Sequence, residues 1–461
     1  MHNIKSVITP KFSEAILLTA IIFLVISVSI IKFESVPHIP ILLSILLLFG
    51  YGLLKKVSYR TLEKGLVEGA GAGMSAVFLF FFIGMLISSW MISGTIPTLI
   101  FTGFTLISMT FFYAIVFVVT SLIGLSIGSS LTTVATIGVA FIGMATAMDL
   151  SMAITAGAIV SGAFFGDKMS PLSDTTNLSS TIVGVDLFEH IRNMGWTTIP
   201  AFVITLILFV LLSPETAGTG VQDIAVFKEG LSATGMIHWY TIIPLIVLIL
   251  LTFIKIPALM ALAISTMTAI IVSFFHQSST ASEIFSVLFG GYVSSTGISE
   301  IDSLLSRGGM ESMMFTVALV LLALSMGGLL FTLGIVQQLL STVESLLKKV
   351  SSVIAASALT AIGINILIGE QYLSILLTGQ AFKEPYDKVG LAGKNLSRVM
   401  EDAGTVVNPL VPWSVCGIFI TGVIGVSTLD YLPFAFFCLL SPILTVLFGF
   451  TGKTLTYKQE K

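Results

Sequence analysis

The feature that most constrains this chain is a charged stretch containing glycine and proline, residues 166–174, inside an otherwise apolar run of residues 152–182. The stretch reads GDKMSPLSD and carries three charges. Hydrocarbon tolerates charges and an irregular backbone only where the protein shields them. Serine followed by proline is typical of a helix start. We therefore predict that a helix unwinds near Gly166 and restarts at Pro171, with Ser170 as its N-cap. Broken helices of this kind line ion sites in secondary transporters.

A second stretch, GTVVNPL, repeats this pattern from Gly404 onward, with Asn408 in place of Ser170. Gly166 and Leu172 recur as Gly404 and Leu410 at the same spacing that separates Pro171 from Pro409. At another constant spacing, a group of upstream residues also recurs: Gly128, Gly138, Ala140 and Phe141 as Gly369, Gly379, Ala381 and Phe382. Several matches in one order indicate two homologous halves, residues 1–213 and 239–461, joined by a linker at 214–238.

Composition places these halves in a membrane. Hydrophobic residues make up 55% of the chain and charged residues 10%, against roughly 25% charged in soluble domains. The first apolar run, residues 15–31, lacks a cleavage site and is predicted to be a retained helix. No basic run suits nucleic acid. Cys416 and Cys438 fit neither a paired-thiol nor a zinc pattern. The chain is thus predicted to be an all-α polytopic protein of the lipid bilayer.

Each half is predicted to cross the membrane five times, and an odd number inverts the second half relative to the first. Two segments are predicted to be re-entrant hairpins with arms too short to span, residues 111–147 and 353–382. Residues 96–109 and 335–349 are predicted to lie at the interface as amphipathic helices. The predicted crossings are 15–32, 38–54, 73–92, 149–184 (broken) and 194–213, then 239–254, 256–275, 311–333, 394–424 (broken) and 430–450.

Basic residues support this arrangement. With the N-terminus inside, most Lys and Arg fall in cytoplasmic segments, whereas Lys32, Lys228 and Arg307 fall outside. Both termini are therefore predicted to be cytoplasmic. The linker at 214–238 then lies outside the cell, as do short amphipathic pieces within residues 283–310.

Oxygen-bearing residues at the hairpin tips and helix breaks are the candidate ligands for a dehydrated cation. Na⁺ is predicted near Asp174 and near Asp402, with Glu401 a further candidate. Lys168, Gln371 and Thr132 are candidates for contacting an organic substrate. The ion-binding candidates are Ser129, Ser130, Thr133, Asp167, Ser170, Asp174, Thr175, Asn177, Glu370, Asp402, Thr405 and Asn408.

Three structural alternatives remain open for these residues. An aspartate of the first break could simply pair with Lys168. Glu401 and Asp402 could form a charge cluster with Arg398. Ser170 and Asn408 could serve as caps alone. All five histidines, including His190, lie near a predicted helix end or a terminus, so the sequence does not predict a histidine proton relay.

Carboxylates in a low-dielectric site can exchange a proton for a cation. Competition between H⁺ and Na⁺ for one carboxylate is a minimal antiport mechanism. In this mechanism the binding site crosses the membrane when it holds either H⁺ or Na⁺, and not when it is empty and charged. A buried aspartate could also belong to an intramembrane hydrolase, but Phe164-Phe165-Gly166-Asp167 lacks the first glycine of the Gly-x-Gly-Asp signature. A passive channel is disfavoured by the broken helices.

Three stretches resemble the NhaC family of sodium–proton antiporters: GDKMSPLSDTTN from Gly166, SSTGISEIDSLLSRGG from Ser294, and EDAGT from Glu401. The resemblance implies a prokaryotic cell-membrane transporter rather than an enzyme, with no cofactor and with Na⁺ and H⁺ as its ions. It also implies a scaffold, a mobile transport domain with elevator-type movement, and a homodimer. Some family members resemble exchangers of malate and lactate, and others resemble amino-acid exchangers, so organic exchange is the alternative function.

Overall fold

The computed structural model describes residues 4–106, 109–214, 220–344 and 349–458, and these parts contain helices and no β-strand. The predicted all-α membrane fold is confirmed. The helices of the first half are Phe12–Phe33, His38–Leu54, Tyr59–Gly71, Met74–Ile92, Thr95–Leu106, Phe112–Ile127, Ser130–Ala147, Met152–Met169, Asp174–Val183 and Leu187–Leu212.

After a linker helix, Gly220–Ala233, the second half presents a comparable series. Residues 215–219 of the linker, 107–108 of the first predicted interfacial helix and 345–348 of the second lie outside the described residues. The helical segments of the second half are Trp239–Phe253, Ala258–Ser273, Ala281–Gly290, Ser299–Leu305, Glu311–Thr332, Ile335–Glu344, Val350–Ile368, Gln371–Lys388, Gly393–Leu410, Val415–Ile424, Thr428–Phe434 and Phe436–Thr451.

Six helices in the described residues are long and apolar enough to cross a membrane, and two bent pairs raise the number to eight. This is fewer than the ten predicted crossings, because helices such as His38–Leu54 and Ala258–Ser273 have only 10–17 residues. One arm of each predicted hairpin is longer than expected, whereas its partner arm is not among these six helices, and the re-entrant hairpins stay a prediction. Ser130–Ala147 and Val350–Ile368 reach 18 and 19 residues, or roughly 27 Å at 1.5 Å per residue. The inverted orientation of the halves stays a prediction.

The first broken helix comprises Met152–Met169 and Asp174–Val183. It runs unbroken through Gly166, so the predicted unwinding point is wrong. The N-cap is Ser173, which accepts from the Thr176 amide, and not Ser170. The reason is tertiary, because the Ser170 hydroxyl donates to the Leu125 carbonyl of the neighbouring helix.

The second broken helix comprises Gly393–Leu410 and Val415–Ile424. Its regular α-helix ends at Val399 and gives way to a π-helical turn, Met400–Thr405. The N-cap of the restarted helix is Ser414, which accepts from Gly417, so the predicted cap Asn408 is also wrong. Widened turns of this kind are frequent at functional sites.

The first hairpin, Phe112–Ile127 and Ser130–Ala147, packs tightly against the first broken helix. Small residues permit the contact. A Cβ on Gly166 would stand 2.4 Å from the Leu125 amide nitrogen, and one on Gly162 would stand 2.5 Å from the Phe117 carbonyl oxygen. The hairpin turns at Gly128, whose φ of 69° suits glycine. Ser129 then caps the second arm.

The loop before Ser299–Leu305 is organised around the Asp302 carboxylate. Oδ1 accepts from the Thr296 amide at 2.6 Å, the Thr296 hydroxyl at 2.8 Å and the Ser294 hydroxyl at 2.8 Å. Oδ2 accepts from the Gly297 amide at 3.1 Å. These bonds, above all the one from the Thr296 amide, lower the pKa of Asp302 below its ordinary value.

We expect Asp302→Asn to loosen this loop at neutral pH. Because the pKa is lowered by folding, the stabilisation is fully present above the ordinary aspartate pKa and is lost as the pH falls through the folded value. Amide exchange at Thr296 and Gly297, followed by mass spectrometry, should be roughly tenfold faster than in wild type near neutral pH. The difference should shrink in acid. Asp430→Asn, at an exposed aspartate, is the control, and equal exchange in both variants would contradict the assignment.

Candidate functional site

A cavity of about 380 Å³ opens beside the tip of the first hairpin and the break of the first broken helix. Leu248, Lys255 and Leu262 of the second half also line the cavity. The cavity brings together eight of the candidate residues: Ser129, Ser130, Thr132, Asp167, Asp174, Thr175, Asn177 and Gln371. It does not include Thr133, Lys168, Ser170, Glu370, Asp402, Thr405 or Asn408.

Asp167 joins the hairpin tip to the broken helix. Its Oδ2 accepts from the Ser130 amide at 3.1 Å and from the Ser130 hydroxyl at 2.7 Å, and the residue is 4% exposed. Asp174, at the first position of the restarted helix, is exposed and lines the same cavity. The two aspartates therefore differ in environment, one being held by the protein and one free to meet a cation from solution.

Several backbone carbonyls at the helix break already accept hydrogen bonds from side chains, so fewer of them are free to bind a cation. The Thr176 hydroxyl donates to the Lys168 carbonyl at 3.0 Å. Asn177 donates to the carbonyls of Pro171 and Ser173. In the hairpin, the Thr133 hydroxyl donates to the Ser129 carbonyl. Part of the oxygen supply predicted for a cation is therefore used inside the protein.

Lys168 points away from Asp167, because consecutive helical residues project about 100° apart. Its ammonium pairs with Asp402 of the second broken helix, and both side chains are fully buried. Asp402 Oδ1 also accepts from the Thr197 hydroxyl at 3.1 Å. The alternative that Lys168 pairs with an aspartate of its own break is wrong. The two broken helices instead share one buried ion pair.

Glu401 and Arg398 are buried beside this pair without forming a closed charge cluster. The Ser179 hydroxyl donates to Glu401 Oε1 at 2.6 Å. Arg398 donates to the carbonyl and hydroxyl of Thr454, and within the described ranges it makes no ion pair shorter than 4.0 Å. Glu401 Oε2 and Asp402 Oδ2 have no hydrogen-bond partner among the described residues. Buried carboxylate oxygens without donors are costly, which makes these two atoms candidates for a proton or a cation.

Two of the remaining second-half candidates, Asn408 and Glu370, have evident structural partners. Asn408 donates to Asn365 Oδ1 at 2.8 Å and accepts from the Cys416 amide at 3.0 Å. Glu370 is the N-cap of Gln371–Lys388 and accepts from the Leu373 amide at 2.7 Å. The Thr405 hydroxyl is buried in the π-helical turn without a partner among the described residues.

Sequence reasoning missed four polar residues that complete the site: Thr176, Ser179, Thr197 and Asn365. Asn365 donates to the Gly404 carbonyl at 2.6 Å and so supports the second break. A single Asn within an apolar helix was a usable signal. Ser179 and Thr197 carried no such signal, because hydroxyls are common in membrane helices and usually bond their own backbone.

Comparison with known proteins shows the family to which this chain belongs. A model of the Na⁺/H⁺ antiporter family matches residues 162–453, which include the break of each broken helix. The chain is 42% identical to the Na⁺/H⁺ antiporter NhaC of Alkalihalophilus pseudofirmus over 95% of both chains. It is 35% identical to the arginine/ornithine antiporter ArcD of Halobacterium salinarum, over 98% of this chain and 94% of that one. It is 32% identical to the malate-2H⁺/Na⁺-lactate antiporter of Bacillus subtilis, over 99% and 98%. The chain therefore belongs to the Na⁺/H⁺ antiporter family and is a multi-pass membrane transporter, not an enzyme.

Proposed function

We propose that this protein exchanges Na⁺ for H⁺ by alternating access, with the two ions competing for buried carboxylates. The observation that carries the proposal is the ion pair between Lys168 and Asp402, fully buried and shared by the two broken helices. Opposite charges attract each other strongly in the low dielectric of a protein interior. Na⁺ or H⁺ can replace that ammonium as the partner of Asp402, and each then neutralises the same negative charge.

The cavity supplies the approach for Na⁺ in this mechanism. Asp174 is exposed there, and Ser129, Thr132, Asn177 and Gln371 add neutral oxygens. Oxygen ligands of this type replace the hydration shell of a hard cation. Asp167, already held by Ser130, lies deeper and adds a second negative charge. We propose one Na⁺ site near Asp174 and a second near Asp402.

We further propose that the first hairpin and the first broken helix move together in an elevator-type transition. The bonds from Ser130 to Asp167 and from Ser170 to Leu125 join them, and the glycine contacts leave no room for sliding. This unit lines the cavity together with Leu248 and Leu262 of the second half. A homodimeric scaffold and cytoplasmic termini belong to the same proposal.

The test is transport by the purified protein in liposomes. With an imposed Na⁺ gradient and an internal pH dye, we expect proton movement against the direction of Na⁺ movement, without any organic solute. Protein-free liposomes and an imposed K⁺ gradient are the controls. If no protons move when a Na⁺ gradient is imposed without an organic solute, the result contradicts Na⁺/H⁺ exchange.

Organic exchange is the second candidate, and the cavity volume favours it. About 380 Å³ exceeds the need of a bare cation, and Lys255 and Asp174 place opposite charges on its lining. Relatives of this chain include a malate-2H⁺/Na⁺-lactate antiporter and an arginine/ornithine antiporter. In the same liposomes, proton movement that requires added malate, lactate or an amino acid would support this candidate.

A further inference from the structure

The chain beyond its last helix turns back onto the loop that leads into the second broken helix. We call this segment, residues 454–458, the C-terminal strap. The Ala392 amide donates to the Thr456 carbonyl at 2.9 Å, and the Lys458 amide donates to the Gly390 carbonyl at 2.8 Å. Two backbone hydrogen bonds therefore attach the strap to the start of the second broken helix.

Side chains add to this attachment. Asn395 Nδ2 donates to the Thr456 carbonyl at 2.6 Å, and Asn395 Oδ1 accepts from the Thr456 amide at 3.1 Å. Asn395 is fully buried, so water does not compete for these bonds. Lys458 also pairs with Asp387 at 2.8 Å, but both side chains are exposed and such a pair contributes little. The bonds of Asn395 are therefore the main side-chain anchor of the strap.

Thr454, the first residue of the strap, accepts two hydrogen bonds from Arg398 of the second broken helix. Arg398 is 1% exposed, and its Nη1 atom donates to the Thr454 carbonyl at 3.3 Å and to the Thr454 hydroxyl at 3.2 Å. Thr454 has a φ of 64°, which is rare for a β-branched residue. Such a backbone persists where surrounding contacts hold it, often at functional sites. The strap thus supplies the oxygens that hold a buried guanidinium.

Arg398 lies near two carboxylates with which it forms no ion pair. It precedes Glu401 and Asp402 by three and four residues, the spacings at which helical side chains meet, and the charge of Asp402 acts on the guanidinium. Arg398 Nε, Glu401 Oε2 and Asp402 Oδ2 all lack a hydrogen-bond partner in the part of the chain that the structure describes. Hydrogen bonds from arginine to a carboxylate are roughly twice as strong as those between neutral groups. A guanidinium released from Thr454 would therefore turn to these carboxylates.

We propose that the C-terminal strap holds Arg398 away from the Asp402 carboxylate and so keeps that carboxylate available to Na⁺. Without the strap, the guanidinium occupies the carboxylate oxygens that a cation needs, and Na⁺ must displace it. Arginine stays charged at any pH that the protein meets, so this competition does not depend on its titration. Arg398 and Thr454 are positioning residues, since neither contacts the ion. The inference rests on the proposed Na⁺ site near Asp402 and identifies what sets its affinity.

The first test combines a chain that ends at Lys453 with Arg398→Gln in a double-mutant cycle. With arginine present, we expect loss of the strap to raise the half-saturating Na⁺ concentration for proton movement in liposomes about tenfold at fixed pH. Maximal flux should stay within about twofold. In the Arg398→Gln background, the same truncation should shift the half-saturating concentration less than about twofold, because no guanidinium competes. A chain that ends at Lys458 keeps every bond described above and is the matched control.

An equal shift in both backgrounds would overturn the proposal, because it would show a general structural role of the strap. The absence of a shift with arginine present would overturn it as well. If the chain that ends at Lys453 does not fold, Asn395→Leu takes its place, since it removes the side-chain bonds to Thr456. It should raise the half-saturating Na⁺ concentration about threefold, and again only where Arg398 is present.

The second test uses wild-type protein, so it does not depend on a variant folding. Amide exchange at Thr456 and Lys458, read by mass spectrometry, should be at least about tenfold slower than in an unstructured peptide of the same sequence. Exchange as fast as in the peptide would mean that the strap is not attached and would overturn the proposal. If wild type itself moves no protons in response to Na⁺, the proposed function fails instead.

Discussion

Asp402→Asn is expected to abolish Na⁺-driven proton movement. The amide cannot bind a proton in exchange for Na⁺, and it leaves the Lys168 ammonium in the protein interior without a countercharge. Removing one partner of a buried pair destabilises a protein by about 3–5 kcal/mol. The measurements are proton flux in liposomes and thermal unfolding in detergent. Asp430→Asn, at an exposed aspartate of the same half, controls for loss of a carboxylate in general.

Loss of flux in Asp402→Asn could reflect misfolding, so the double variant Lys168→Met with Asp402→Asn is the decisive comparison. Replacing both charges removes the uncompensated ammonium, and hydrophobic replacement of buried pairs is often neutral or stabilising. We expect the double variant to recover most of the unfolding temperature but none of the flux. Recovery of coupled flux would show that Asp402 serves only to neutralise Lys168 and would contradict its role as an ion-binding carboxylate.

Gly166→Ala is expected to have the second largest effect, although it adds a single methyl group. The new Cβ would lie 2.4 Å from the Leu125 nitrogen and 2.5 and 2.6 Å from the carbonyl carbon and Cα of Gly124. These are backbone atoms, so the hairpin and the broken helix must separate. Overpacking of this kind costs about 1–3 kcal/mol. The displacement also moves Ser130 away from Asp167, and misplacement by about 1 Å can lower a rate 100-fold.

The matched control is Gly50→Ala, in the helix His38–Leu54, where an added Cβ meets nothing within 4 Å. Alanine there should raise stability by about 0.4–1 kcal/mol, since it reduces the entropy of the unfolded chain. Flux should be unchanged. Thermal unfolding and liposome flux of the two variants separate a packing effect from any general cost of replacing glycine. A Gly166→Ala protein with wild-type stability and flux would mean that the two helices are not held in close contact.

The sequence alone determined the fold class and the location of the important segments. Apolar composition requires helices in hydrocarbon, because only helices and closed barrels satisfy backbone hydrogen bonds there. The charged GDKMSPLSD stretch and its GTVVNPL counterpart lie at the two helix breaks, since charges and proline are tolerated inside a membrane protein only at such places. The same reasoning predicted three ion-binding residues that do line one cavity, namely Asp167, Asp174 and Ser130.

Tertiary structure alone decided which residues meet. The N-caps moved from Ser170 and Asn408 to Ser173 and Ser414, because the hydroxyl of Ser170 and the amide of Asn408 bond neighbouring helices. Lys168 pairs with Asp402 across 234 positions of chain, and His190 is fully buried although it lies near a helix end. Local pattern sets where a helix begins or breaks, but the partner of a buried charge depends on which helices pack together, and that contact has no signature in either segment by itself.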